Sequence, residues 1–153
     1  MTATTIEVRL CTAADLPLLS TREPGATRGP SYLELADQGD FFFVAAFAPD
    51  EVAGYVALDC RPGTELAPEM LTLWVYPEFR RQGLGVLLTK AIEDIAAAHG
   101  FDEVKLGVDP DNPAAIPMYI GLDYTPTGDH RTVTEDGAEL REAIYRKSLT
   151  ISR

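Results

Sequence analysis

The chain has 153 residues, 46% of them hydrophobic, enough for one domain with a sizeable core and too many for a disordered chain. Its formal net charge of −11 argues against a nucleic-acid or acidic-membrane partner, both of which attract positive surface, and suits a cationic ligand. No run of about 18 apolar residues and no basic-then-apolar leader occurs. Cys11 and Cys60 stand apart, which reads as reduced thiols of a cytoplasmic protein; neither a disulfide nor a metal is expected.

In chain order, Ile6 to Leu10 alternates apolar and polar residues as a half-buried strand, and Thr12 offers a helix cap with Asp15 in the first turn. Thr21 to Pro30, with two prolines and two glycines, reads as a loose connection before a short helix capped by Ser31. Phe41 to Phe47 is a strand buried on both faces, turned at Ala48–Glu51 into Val52–Cys60. A strand over Met70 to Tyr76 is closed by Pro77. A helix follows, with an apolar stripe at Leu84, Leu87, Leu88, Ala91, Ile92 and Ile95. Lys90, Glu93 and Asp94 take its wet side, and His99-Gly100 stops it. Glu103–Val108 is a strand parallel to the one before the helix. Next comes a short helix through Tyr119, which Asn112 caps ahead of Pro113. Tyr124–Val133 and Glu139–Leu149 form a hairpin around Glu135-Asp136-Gly137. The sum is a mixed α/β fold: six to seven mostly antiparallel strands with helices on both faces, one domain over residues 1–153.

Between the central strand and its helix lies Arg80-Arg81-Gln82-Gly83-Leu84-Gly85. The first turn of a helix has N–H groups without intrahelical partners and a positive dipole end, and glycines let backbone approach an anion. The loop therefore suits phosphate, unless its glycines only shape a tight turn. A Rossmann fingerprint would need glycine at Leu88, and a Walker A loop would need Lys-Ser/Thr where Val86-Leu87 stand.

This loop, with its lead-in Leu73-Trp74-Val75-Tyr76-Pro77-Glu78, resembles the pyrophosphate loop of the GCN5-related N-acetyltransferase family. The opening strand and helix look like that family's as well. The resemblance implies acetyl-CoA as co-substrate, held by Arg80, Arg81, Gln82, Gly83, Leu84, Gly85 and Val86. It also implies a bulged strand whose backbone at Leu73, Trp74 and Val75 pairs with the pantetheine arm, Val75 N–H facing the thioester oxygen. Asn112-x-x-Ala115-x-x-x-Tyr119 is similar to a second family segment, which puts Asn112 and Ala115 on the cofactor and gives Tyr119 the proton for the leaving thiolate. Asn112 as a helix cap and Tyr119 as a core aromatic are the structural alternatives.

The resemblance departs at Asp123-Tyr124, where the family places Gly-Phe, and at Pro117, which should kink the short helix and shift Tyr119. Glu69, at the head of the central strand, is the implied catalytic base, with His130 as a rival; His99 reads as a helix-end residue without chemistry. Thr21–Pro30 and the helix after it correspond to a wall of the family's acceptor site, or are a plain connection.

The implied reaction is acetyl transfer to a primary amine by direct attack in a ternary complex, since neither cysteine lies in a thiolate-activating motif. The charge favours a small cationic amine. A protein lysine or N-terminal acetyltransferase, a non-catalytic CoA-binding regulatory domain and a module that binds no nucleotide are the alternatives. A homodimer is left open.

Overall fold

Strand-forming runs separated by turn residues build a sheet, and their pairing order decides where it opens. A computed structural model describes residues 5–112 and 114–149. Its strands are β1 (Glu7–Leu10), β2 (Phe41–Ala48), β3 (Glu51–Asp59), β4 (Glu69–Val75), β5 (Glu103–Val108), β6 (Thr125–Glu135) and β7 (Ala138–Ser148). The helices are α1 (Leu16–Leu19), α2 (Gly25–Gln38), α3 (Leu84–Ala98) and α4 (Ala115–Gly121). The strands form one seven-stranded sheet in the order β1-β2-β3-β4-β5-β7-β6, antiparallel throughout except for the parallel β4–β5 pair. This is the mixed fold expected from sequence. No helix among the described residues is long and apolar enough to cross a membrane.

The continuous apolar run of β2 is covered on both faces. Tyr32 of α2 packs against Phe41 and Phe43, with ring centroids 5.2 and 5.3 Å apart. Phe42 meets His99 at the end of α3, at 4.8 Å. On the inner face of α3, Leu84, Leu88, Ile92 and Ala96 are buried at the spacing of successive helical turns. Asp136 and Gly137, both at positive φ (51° and 79°), make the tight turn between β6 and β7.

Three local expectations fail. The supposed loose stretch is helical from Gly25, so α2 runs 14 residues and absorbs the shorter helix from Ser31. Its glycines are contact surface: a Cβ on Gly25 would lie 2.7 Å from the Leu19 carbonyl oxygen and 2.7 Å from the Tyr76 hydroxyl, and one on Gly29 3.2 Å from Leu19 Cβ. Packing outweighs weak helix propensity here. Glu93 is buried, not on the wet side: its carboxylate accepts from Tyr124 Oη at 2.8 Å and Lys147 Nζ at 3.0 Å. Leu87, assigned to the buried stripe, is 48% exposed.

Pro117 does not break α4, because the helix begins at Ala115 and the proline falls in its first turn, where an N–H has no intrahelical acceptor. The other departure is equally tolerated. Asp123 takes the left-handed backbone (φ 73°) that a glycine would supply, a conformation Asp visits more readily than most residues. Tyr124 fills the aromatic position fully buried, its hydroxyl satisfied by Glu93.

Candidate active site

The site begins with a defect in β4. Tyr55 pairs with Trp74 and Ala57 with Leu71, so Val56 alone stands opposite Thr72 and Leu73. Thr72 takes φ 48°, a costly conformation for a β-branched residue, and bonds through Oγ1 to Tyr32 Oη at 3.0 Å. This bulge bends β4 away from β5. The two strands share one register pair, Glu69 with Lys105, where Lys105 N also donates to Pro68 O at 3.0 Å. Beyond that pair the seam is open.

Backbone polarity in the seam follows from ladder alternation. Tyr76 N donates to Ala53 O at 2.9 Å, so the N–H and C=O of Val75, one residue earlier, turn away from β3 to the open side. Arg80 Nε occupies that carbonyl at 2.8 Å, and its guanidinium lies 5.0 Å from the Trp74 ring centroid. The indole Nε1–H of Trp74 is buried without an acceptor among the described residues.

The loop after β4 turns on Arg81 (φ 65°) and Gly83 (φ 79°), which delivers the chain into α3 with Gly83 as its N-cap. The N–H groups of Gly83, Leu84, Gly85 and Val86 have no intrahelical acceptors. A Cβ at Gly83 or Gly85 would meet nothing within 4 Å, so the glycines leave open space over the helix end.

A cavity of about 450 Å³ joins these parts. It is lined by Leu73, Trp74 and Val75 from the bulged strand, Arg80, Arg81, Gly83, Leu84 and Gly85 from the loop, and Asn112, Ala115 and Tyr119 from the far side of the seam. Asn112 Oδ1 accepts from Ala114 N (3.1 Å) and Ala115 N (3.3 Å), tying down the start of α4 and leaving its amide NH₂ for the cavity. Pro113, expected at the first helical position, lies outside the described residues. Burial, reinforced by the Glu142 carboxylate, lifts the Tyr119 phenol above its ordinary value, so it is protonated at neutral pH.

The remaining candidates lie elsewhere. Gln82 and Val86 do not line the cavity: Gln82 Nε2 reaches Glu78 O at 3.4 Å, and the Val86 side chain is 57% exposed. Glu69 is buried at the closed end of the seam, its carboxylate held by Arg131 (Nη2 at 2.6 Å), which also pairs with Glu142 at 2.9 Å. Burial raises its carboxyl against the pull of Arg131. A carboxylate so engaged is not a free base for an amine in the cavity. His130 is exposed on β6, within the strand expected over Tyr124–Val133, and does not line the cavity. Burial pushes the Cys11 and Cys60 thiols up to about 12 and about 11, and neither lines the cavity.

The model of the acetyltransferase (GNAT) family matches residues 12–124. The chain belongs to this family. Among curated proteins it is 36% identical over 90 residues to mycothiol acetyltransferase of Kocuria rhizophila, covering 57% of this chain and 30% of that one. It is 30% identical over 119 residues to "Probable N-acetyltransferase 14" of Xenopus tropicalis, covering 78% of this chain and 56% of that one. The chain thus spans less than two thirds of the length of either relative. A GNAT family acetyltransferase from Elizabethkingia anophelis, solved with acetyl-CoA bound, superposes with a TM-score of 0.66 at 20% identity, over 94% of this chain and 98% of that one.

In this GNAT chain three wall residues escaped the sequence reading: Phe79, Ala114 and Met118. Met118 had a signal, since Ala115, Met118 and Tyr119 share the i, i+3, i+4 face of α4. Phe79 had none, because its place depends on the short helical turn Pro77–Phe79, in which it is buried.

Proposed function

We propose that this chain transfers an acetyl group from acetyl-CoA to a small primary amine, with residues 1–153 acting as one catalytic domain. The observation that carries this reading is the open β4–β5 seam, where the outward Val75 N–H, the α3 N-terminus and Tyr119 share one cavity. The residues fit the donor: an open glycine cradle and two arginines for a pyrophosphate, and unpaired strand backbone for a chain of amides.

Acetyl-CoA supplies the acetyl group as a thioester, already activated for attack. Gly83, Leu84 and Gly85 N–H groups, with Arg80 and Arg81, hold its phosphates. Val75 and Asn112 meet the pantetheine arm and align the reacting carbon. The Val75 N–H also stabilises the negative charge that develops on the carbonyl oxygen. The neutral amine nitrogen bonds to the carbonyl carbon, the carbon–sulfur bond breaks, and Tyr119 gives its proton to the departing sulfur. A proton lost from the amine passes to water, since Glu69 is tied to Arg131. The raised cysteine thiols favour direct attack over an acyl-cysteine route. Both are free, as suits a cytoplasmic protein.

Calorimetric titration with acetyl-CoA, with CoA and NADH alongside, is the test. Binding of acetyl-CoA and CoA but not NADH is expected, followed by thiol release when amines are added. Absence of acetyl-CoA binding overturns the reading. Binding without turnover on any amine would leave a CoA-binding regulatory domain.

A further inference from the structure

In a chain with 24 acidic and 13 basic residues, an arginine beside no carboxylate stands out. Arg9, Arg22, Arg61, Arg131 and Arg146 each pair with an Asp or Glu. Among the described residues, Arg28, Arg80, Arg81 and Arg141 have no acidic partner. Arg80 and Arg81 line the donor cavity, and Arg141 is exposed on the β6–β7 hairpin. Arg28 borders a second cavity.

That cavity, about 260 Å³, is lined by Pro24, Arg28, Tyr55, Thr72, Leu73 and Trp74. It shares Leu73 and Trp74 with the donor cavity, so the two meet at the bulge of β4. Arg28 is its one charged wall residue. The guanidinium is led towards the bulge by a relay: Arg28 Nη1 lies 3.5 Å from Tyr32 Oη, which bonds Thr72 Oγ1 at 3.0 Å. Glu23, the nearest acid in sequence, does not pair with Arg28; both its oxygens accept from Thr27. The N-terminus of α2 that carries Arg28 is seated by Gly25 N donating to Tyr76 Oη at 3.1 Å.

We propose that the second cavity is the acceptor site and that Arg28 binds a carboxylate there, so the acceptors are small amino acids. This rests on the acetyltransferase reading and narrows it. A guanidinium fork matches a carboxylate in two parallel hydrogen bonds. The walls of Tyr55, Trp74, Leu73 and Pro24 take the acceptor's carbon body. A volume slightly under the range of about 300–1,000 Å³ common for drug-sized ligands fits a molecule of that size. The net charge of the whole chain had favoured a cationic amine. The local field decides instead: a polyamine entering here would bring positive charge against Arg28.

The test is a thiol-release assay with acetyl-CoA and three groups of amines: the α-amino acids with β-alanine and γ-aminobutyrate, the carboxamides of the same compounds, and putrescine with spermidine. Turnover of one or more of the carboxylates is expected, with kcat/KM about ten- to hundred-fold above the matching carboxamide, the range of a hydrogen bond to a charged group. Arg28→Ala should bring that ratio towards one while the Kd for acetyl-CoA stays unchanged, and Arg28→Lys should restore part of the preference. Preference for carboxamides or polyamines, no turnover of any carboxylate, or an Arg28→Ala variant that keeps the preference overturns the proposal. Loss of acetyl-CoA binding in the unaltered protein would instead sink the reading beneath it.

Discussion

The ladder between β2 and β3 and the seam between β4 and β5 lie two strands apart in one sheet and are built in opposite ways. From Phe41↔Asp59 to Ala48↔Glu51 the first pair stays in register along its length, with one irregularity, and its side chains are buried on both faces. The second pair meets at Glu69↔Lys105 and then parts. A closed ladder satisfies its own backbone groups and offers a ligand nothing. An open seam leaves N–H groups such as that of Val75 facing a cavity, which is only tolerable where something else supplies their partners. On the proposed function, stability and donor binding are thus carried by different strand pairs, and substitutions should separate them.

The largest separation should come at the seam. Gly85→Glu places bulk and negative charge in the proposed phosphate cradle, so acetyl-CoA binding should vanish in calorimetry. The fold should hold within about 0.5 kcal/mol, because the position has open space and an acid in the first turn of α3 suits the helix dipole. A Gly85→Glu protein that binds acetyl-CoA normally would break the assignment of the loop.

Next is Tyr119→Phe, which should lower kcat by about 10²–10⁴-fold, the usual weight of a general acid, with the Kd for acetyl-CoA unchanged. Equal kcat in the two proteins would return Tyr119 to the role of a wall aromatic.

On the closed side, Leu88→Ala should cost about 2–5 kcal/mol in urea denaturation, since Leu88 is fully buried beneath β3. Refolded protein should still bind acetyl-CoA. If this core change alters donor affinity more than stability, the separation of ladder from seam is wrong.

The smallest effect concerns the ion pair of Arg9 with Asp15, whose bonds are 2.9 and 2.8 Å long. The Arg9 guanidinium holds the Asp15 carboxyl below its ordinary 3.8. Its contribution is therefore complete above pH 3.8 and is lost as pH falls through the lower folded-state value. Asp15→Asn should cost about 1 kcal/mol at neutral pH, Arg9 being partly solvated, and should flatten the fall in stability below pH 4. An unchanged acid limb would show that Asp15 plays no part in it.

Much of this was legible in the residues because it depends on neighbours in sequence. The run Phe41–Phe47, the Leu84/Leu88/Ile92 spacing, the Asp136-Gly137 turn and the Gly83–Gly85 loop each state a local conformation that the tertiary structure had no reason to override. So too Asn112, which ties down the start of α4, and Tyr119 within that helix, whose spacing brings both to one cavity. What only the tertiary structure decided are features set by partners far away in the chain. Gly25–Pro30 became helix because Leu19 and Tyr76 need its bare surface. Glu93 became a buried acceptor because Tyr124 and Lys147 come to it. Glu69 is claimed by Arg131 from β6, and Arg28 is left without a carboxylate partner beside a cavity whose other walls are Pro24 and residues of β3 and β4. Local propensity has an energy of about a kcal/mol per residue or less, while a buried contact or ion pair outweighs it, so long-range packing has the last word wherever the two disagree.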